Sequence, residues 1–246
     1  MAAAIGGVLL ALAACTGPGV QDSPPVRVAP SSSAPPGSSA AASSATALAA
    51  LAALPVKGRA PKTGYSRAAF GPAWTDDTTA DGGHNGCDTR NDVLRRDLVD
   101  VVPKAGTRGC VVAAGTLHDP YTGRTIAFVR GERTSAAVQI DHVVALSDAW
   151  QTGAQQLTAE QRARLANDPL ELLAVDGPTN EAKGDGDAAT WLPSNKAFRC
   201  DYVARQIAVK RAYRLWVTGA EAAAMRRVLQ ACPGEPLPVR DDVPRP

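Results

Sequence analysis

Gln139-Ile140-Asp141-His142-Val143-Val144-Ala145-Leu146 (QIDHVVAL), with Asn167–Asp185 further on (NDPLELLAVDGPTNEAKGD), is the stretch of this 246-residue chain on which its fold turns. Val138 to Asp141 is a short strand running into the Asp-His pair, and Leu170–Val175 (LELLAV) is a second apolar strand or short buried segment. Pro178-Thr179-Asn180 stands where a helix begins, with Glu181, Ala182 and Lys183 in its first turn. The order of these residue types suits one chemistry. A hard divalent cation accepts a carboxylate and an amide carbonyl, which Asp141 and Asn180 supply, and keeps its other positions for water and phosphate oxygen. A neutral imidazole, here His142, activates water near neutral pH. Neighbouring strand residues point to opposite faces, so the expectation is that a bend at the strand end puts Asp141 on the ion with His142 beside it. Taken alone, Asp-His is an ordinary strand-end pair and Asn180 a helix cap. In order with Asn167 and Lys183, they point to a metal site.

Working outward, Asn91–Val101 (NDVLRRDLVDV) has Val93, Leu94, Asp97 and Leu98 at helical spacing behind a capping candidate, Asp88-Thr89. Cys110–Ala114 and Arg124–Arg130 read as strands around a turn that carries Asp119-Pro120 and Gly123. Leu146–Trp150 begins a helix or turn. Thr158–Leu165 is a helix with Thr158 as cap and Gln161 in the third position of a capping box. The longest helix is expected over Asp201–Val217, burying Tyr202, Val203 or Ile207, Val209, Tyr213 and Trp216, and the last over Glu221–Gln230.

The chain opens with MAAAIGGVLLALAA, too short an apolar run for the roughly 20 residues that span a bilayer. It ends in Leu12-Ala13-Ala14-Cys15, so residues 1–15 read as a lipoprotein-type export signal with Cys15 as the lipidated mature N-terminus, although no Lys or Arg precedes the run. Residues 16–54 are Ser, Ala, Pro and Gly with few charges, a disordered linker by composition. Ala45–Leu54 has helical composition but no evident partner face and is assigned to the linker. Residues 55–240 are then expected to form one domain.

Four of the five cysteines, Cys87, Cys110, Cys200 and Cys232, lie in that domain, an even count that points to disulfides in an exported chain. Three pairings are possible; Cys87–Cys110 and Cys200–Cys232 are favoured because each brackets one continuous stretch. No C-x-x-C spacing supports a zinc site instead. Net charge is only +2, so the whole chain advertises no polyanion partner. The C-terminal third is nevertheless basic through Arg199, Arg205, Lys210, Arg211, Arg214, Arg226 and Arg227: a solvated helix face by default, phosphate contacts if a nuclease site lies nearby. His84, in a Gly-rich segment, and His118, before Asp119-Pro120, read as loop residues. Asp185 and Asp187 read as caps before Trp191, and Trp191 and Trp216 as core or wall.

The motifs together resemble the HNH, or ββα-metal, nuclease superfamily in its Asp-His-Asn form, and more closely an exported bacterial HNH endonuclease family carrying GCDTRNDVL, IDHVVAL, TN-x-x-KGD and WLP. Here these are Gly86–Leu94, Ile140–Leu146, Thr179–Asp185 and Trp191–Pro193, within a likeness running from about Gly64 to Thr218. The resemblance implies an α+β fold, a ββα core with additional helices in a single domain. It makes His142 the general base, Asp141 and Asn180 the ligands of one divalent ion, Mg²⁺ first and Mn²⁺ next, and Asn167 the residue bracing the loop between the strands. It puts Lys183 near the substrate phosphate, where Arg90 could also reach. The expected substrate is DNA, with RNA possible, cut by a monomer outside the cell, anchored through Cys15 or released. Many HNH proteins add a zinc knuckle, absent here, whose bracing role would fall to the disulfides. The competing expectation is a catalytically silent surface lipoprotein that binds nucleic acid or another partner through the same fold.

Overall fold

Two antiparallel sheets organise residues 46–238, the part of the chain that the computed structural model describes. In chain order the elements are α1 (Ala47–Ala52), α2 (Thr89–Asp97), β1 (Leu98–Pro103), β2 (Val112–His118), β3 (Thr125–Val129) and β4 (Val138–His142). They continue with α3 (Leu146–Gln151), α4 (Ala159–Ala166), β5 (Leu172–Asp176), α5 (Gly177–Lys183), α6 (Arg199–Ala212) and α7 (Gly219–Leu229). One sheet has the order β1-β2-β3; the other is the pair β4-β5. The fold is α+β, and β4, β5 and α5 are its strand–strand–helix centre.

Local chemistry sets most boundaries. The Asp88 side chain caps α2 by accepting from Asn91 N at 2.9 Å. This helix stops at Asp97, short of the expected Val101, because Leu98-Val99 and Val102-Pro103 pair with β2, Leu98 opposite Leu117 and Val99 opposite Thr116. Tertiary pairing outweighs helical spacing there. Thr158 and Gln161 form both bonds of the expected capping box on α4. β5 passes directly into α5, where Pro178 occupies the first turn and Gly177 lies so close to Ala136 that an added Cβ would come within 1.9 Å of its carbonyl oxygen. α6 ends at Ala212 rather than Val217, and Arg214 turns the chain with φ 54°. Tyr202, Val203, Ile207, Val209, Tyr213 and Trp216 are all buried, as the spacing predicts.

β4 and β5 separate two apolar clusters. Val138, Ile140, Leu172 and Ala174 pack with Val93 and Leu94 of α2 and with Leu98, Leu117 and Phe128. Leu173 and Val175, on the opposite face, belong to the larger cluster built around Tyr121, Tyr202, Val203, Ile207 and Met225. The register, with Ile140 opposite Ala174, Asp141 opposite Leu173 and His142 opposite Leu172, carries this alternation to the strand end.

The ordered domain starts before the expected Pro55. Thr46 caps α1, and Ala47, Ala50, Leu51 and Leu54 are buried in the larger cluster, with α1 against α6 and α7. The Ala-rich segment assigned to the linker does have a partner face, supplied by helices more than 140 residues away in sequence. The expected signal segment, Cys15 and the expected linker up to residue 45 lie outside the described residues. Disulfides join Cys87 to Cys110 and Cys200 to Cys232, the favoured pairing.

Candidate functional site

Strand alternation holds through the last residue of β4, so Asp141 and His142 leave the strand on opposite faces and the expected bend toward a common ion is not seen. Asp141 is 5% exposed and points toward the larger cluster. Its Oδ1 accepts from Lys183 Nζ at 2.8 Å, and its Oδ2 accepts from the Tyr121 hydroxyl. Lys183 Nζ also donates to the His142 carbonyl oxygen at 2.8 Å, and its side chain is 0% exposed. Burial raises the Asp141 carboxyl above its ordinary range, while the ammonium and the phenol pull it back. Asn180 lies on the same side, but its Nδ2 donates to Gln139 Oε1 at 2.9 Å. As folded, Asp141 does not fit a divalent ion, because the Lys183 ammonium 2.8 Å from its Oδ1 stands where a cation would and the Tyr121 hydroxyl holds Oδ2, whereas the Asn180 bond to Gln139 uses Nδ2 and not Oδ1.

His142 faces the other way. Its Nε2 donates to the Ala166 carbonyl oxygen at 3.0 Å, which leaves Nδ1 as the lone-pair nitrogen, and Nδ1 has no hydrogen-bond partner among the described residues. The ring stacks on Trp74, with centroids 5.6 Å apart and planes 15° apart. Burial pushes its pKa down to about 3, with Arg67 and Lys183 adding to the effect and the Ala166 bond opposing it. The imidazole is therefore neutral near pH 7. It lines a cavity of about 470 Å³ whose other walls are Arg67, Ala68, Phe70, Gly71, Pro72, Ala73, Trp74, Leu146, Ala166 and Asn167. Asn167 contributes a buried Oδ1 with no partner among the described residues, and its Nδ2 donates to Ala163 O at 2.9 Å. It thus closes the end of α4. The loop before β5 is braced instead by Asp168, whose Oδ1 accepts from Leu170 N at 2.9 Å.

The two cations expected at the phosphate are used within the fold. Lys183 is sealed behind Asp141. Arg90 donates from Nη2 to Val138 O at 3.1 Å and to Ser135 O at 3.5 Å, and burial together with neighbouring Arg130 lowers its pKa. The GCDTRNDVL stretch is thereby a brace: Cys87 is disulfide-bonded, Asp88 caps α2, Arg90 holds the approach to β4, and Asn91 Oδ1 accepts from Val112 N at 3.0 Å. Part of the basic C-terminal third is likewise internal. Arg205 donates to Leu170 O and Pro169 O, and buried Lys210 pairs with Asp148 and Glu221. His84 is exposed, and exposed His118 meets Thr125 rather than the site. Asp187 caps the turn before Trp191 by accepting from Ala189 N at 3.0 Å, and Asp185 pairs with Lys62.

Four residues that shape this region were not singled out from the sequence: Arg67 and Trp74 in the cavity wall, Tyr121 on Asp141, and Glu171. Buried Glu171 accepts from Val144 N through Oε2 at 3.1 Å and through its carbonyl from Val143 N, holding the chain just after His142. Burial raises its carboxyl well above the ordinary range. Arg67 and Trp74 lie inside the likeness that begins near Gly64, which was the one signal available. Tyr121 and Glu171 carried none beyond being a tyrosine after a turn and a glutamate in an apolar run.

Residues 88–228 match the family described as GmrSD restriction endonucleases, C-terminal domain. A protein of the fungus Arthroderma benhamiae, named an uncharacterized secreted protein, is 38% identical over 181 residues, covering 73% of this chain and 81% of its own length. No solved structure matches.

Proposed function

From the family to which this chain belongs, that of the GmrSD restriction endonuclease C-terminal domains, we propose that the protein is an exported endonuclease hydrolysing phosphodiester bonds, in DNA first, with His142 as general base. The observation that carries this reading is the state of His142: neutral, fixed in one tautomer by Ala166, with Nδ1 unpartnered among the described residues, at the wall of a cavity. Nδ1 takes a proton from water, the water oxygen attacks phosphorus, and the bond to the leaving oxygen breaks, that oxygen taking up a proton from solvent. The Ala166 carbonyl steadies the imidazolium so formed. Glu171 and Lys183 hold the main chain of residues 142–144, and with it the ring, in place.

A divalent ion stabilises charge on phosphoryl oxygens in many such reactions. Since Asp141 as folded, paired with Lys183, does not fit one, no step here runs through it, and a requirement for Mg²⁺ or Mn²⁺ is tested directly. Export is supported by the two disulfides and by the name of the fungal relative. An anchor at Cys15 and action as a monomer belong to the same proposal.

The test is plasmid and RNA cleavage by the full chain, oxidised, with chelator, Mg²⁺ or Mn²⁺, beside His142→Ala. Cleavage that falls by about 10²–10⁴ in the variant supports the base. No cleavage of either polymer under any of these conditions sinks the enzyme reading and leaves a binding protein. Cleavage undiminished in the variant moves the base elsewhere.

A further inference from the structure

With Lys183 and Arg90 committed to the fold, the cavity beside the neutral His142 has one charged side chain in its lining among the described residues: Arg67. It opens a 3-10 turn, Arg67–Phe70, that is fastened on several sides. Ser66 caps the turn by accepting from Ala69 N at 3.2 Å, Arg162 Nε donates to Ala69 O at 2.7 Å, and Phe70 is 1% exposed in the larger cluster. Gly71 closes it at φ 85°, lying so near α4 that an added Cβ would stand 3.2 Å from that of Ala163. The turn is anchored while its first side chain is not. Arg67 is exposed and makes no hydrogen bond or ion pair among the described residues, although its charge is felt at His142.

A fixed backbone that presents an uncommitted guanidinium to a concave wall is suited to an anion with paired oxygens. The other described lining groups are apolar apart from His142 and the Asn167 amide, and the carboxylates that feel the Arg67 charge, Asp141 and Asp185, are not among them. We propose that Arg67 binds the non-bridging oxygens of the substrate phosphate and holds it against His142 Nδ1. This rests on the phosphodiester reading above. It places recognition on the turn that precedes the family-matched segment, residues 88–228, rather than on the helix after the Asp-His strand. It also makes the contact blind to base identity, because phosphate oxygens carry no sequence information.

The experiment measures binding of a short fluorescent oligonucleotide by anisotropy over a range of NaCl, in the His142→Ala background of the full chain, with and without Arg67→Gln. Arg133→Gln, an exposed arginine outside the cavity lining, is the control. The expected result is binding weaker by on the order of tenfold and a salt slope reduced by about one with Arg67→Gln, and neither change with Arg133→Gln. In the active chain Arg67→Gln lowers kcat/KM by a similar factor with an unchanged melting temperature, and Arg67→Lys restores part of it. Binding and cleavage equal to the parent in Arg67→Gln, while His142→Ala is inactive, overturn the proposal and leave the endonuclease reading standing. A melting temperature that falls with binding, and is not restored by Arg67→Lys, overturns it too, since the residue is then structural. A parent chain that neither cleaves nor binds removes both.

Discussion

The two sides of β4 at its last residues differ in what has been done with their polar groups. On the Asp141 side the charges are spent on one another: the carboxylate is bonded to an ammonium and a hydroxyl and the ammonium also to a carbonyl, all out of water. On the His142 side the ring is held at one nitrogen and open at the other, beside an amide oxygen with no partner among the described residues and an exposed arginine. One dipeptide supplies both. The difference teaches that charge type does not identify the reacting side of a strand; unspent bonding capacity does. A saturated buried network rigidifies, whereas open lone pairs at a cavity are where substrate atoms gain something by arriving.

The comparison breaks most visibly if Asp141 is not scaffold. Asp141→Ala strands the Lys183 ammonium in the core and is expected to cost about 3–5 kcal/mol in urea unfolding, with Asp141→Leu/Lys183→Met recovering much of it. An Asp141→Ala chain as stable as the parent but unable to cleave would instead return Asp141 to a ligand role and contradict the saturated geometry. On the other side, Trp74→Ala removes the stack that orients the imidazole. An aromatic contact of about 0.5–1.5 kcal/mol corresponds to a loss in kcat/KM of roughly two- to tenfold, largely restored by Trp74→Phe. If Phe and Ala behave alike, the ring is held by Ala166 alone.

The smallest effect concerns pH. Burial lowers the His142 pKa from its ordinary 6.5 to about 3, so the base stays deprotonated well into the acid range. The acid limb of the kcat/KM profile is expected below pH 6.5. Linkage runs the same way: the unfolded chain takes up this proton below 6.5 and the native one does not, so stability is insensitive to His142 above pH 6.5 and declines as pH falls toward 3. An acid limb at or above 6.5 would mean that the imidazole titrates as if in water and that the cavity does not shield it.

Periodicity and end chemistry were enough to locate the strand–strand–helix centre, the Thr158 capping box, the buried side of α6 and, from even count and bracketing, both disulfides, because each depends on residues close in sequence or on a repeating spacing. The same local reasoning overran α2 and α6, where a partner strand and a left-handed Arg214 end the helix. It also missed α1, which packs against α6 and α7. At the site, the sequence by itself determined that Asp141, His142, Asn167, Asn180 and Lys183 would fall near one strand end. Only the tertiary structure decided how they are spent, since whether a carboxylate is free depends on what packs over it. Here Lys183 and Tyr121 satisfy Asp141, while Arg67 and Trp74, brought in by a turn anchored on α4, complete the side that remains open.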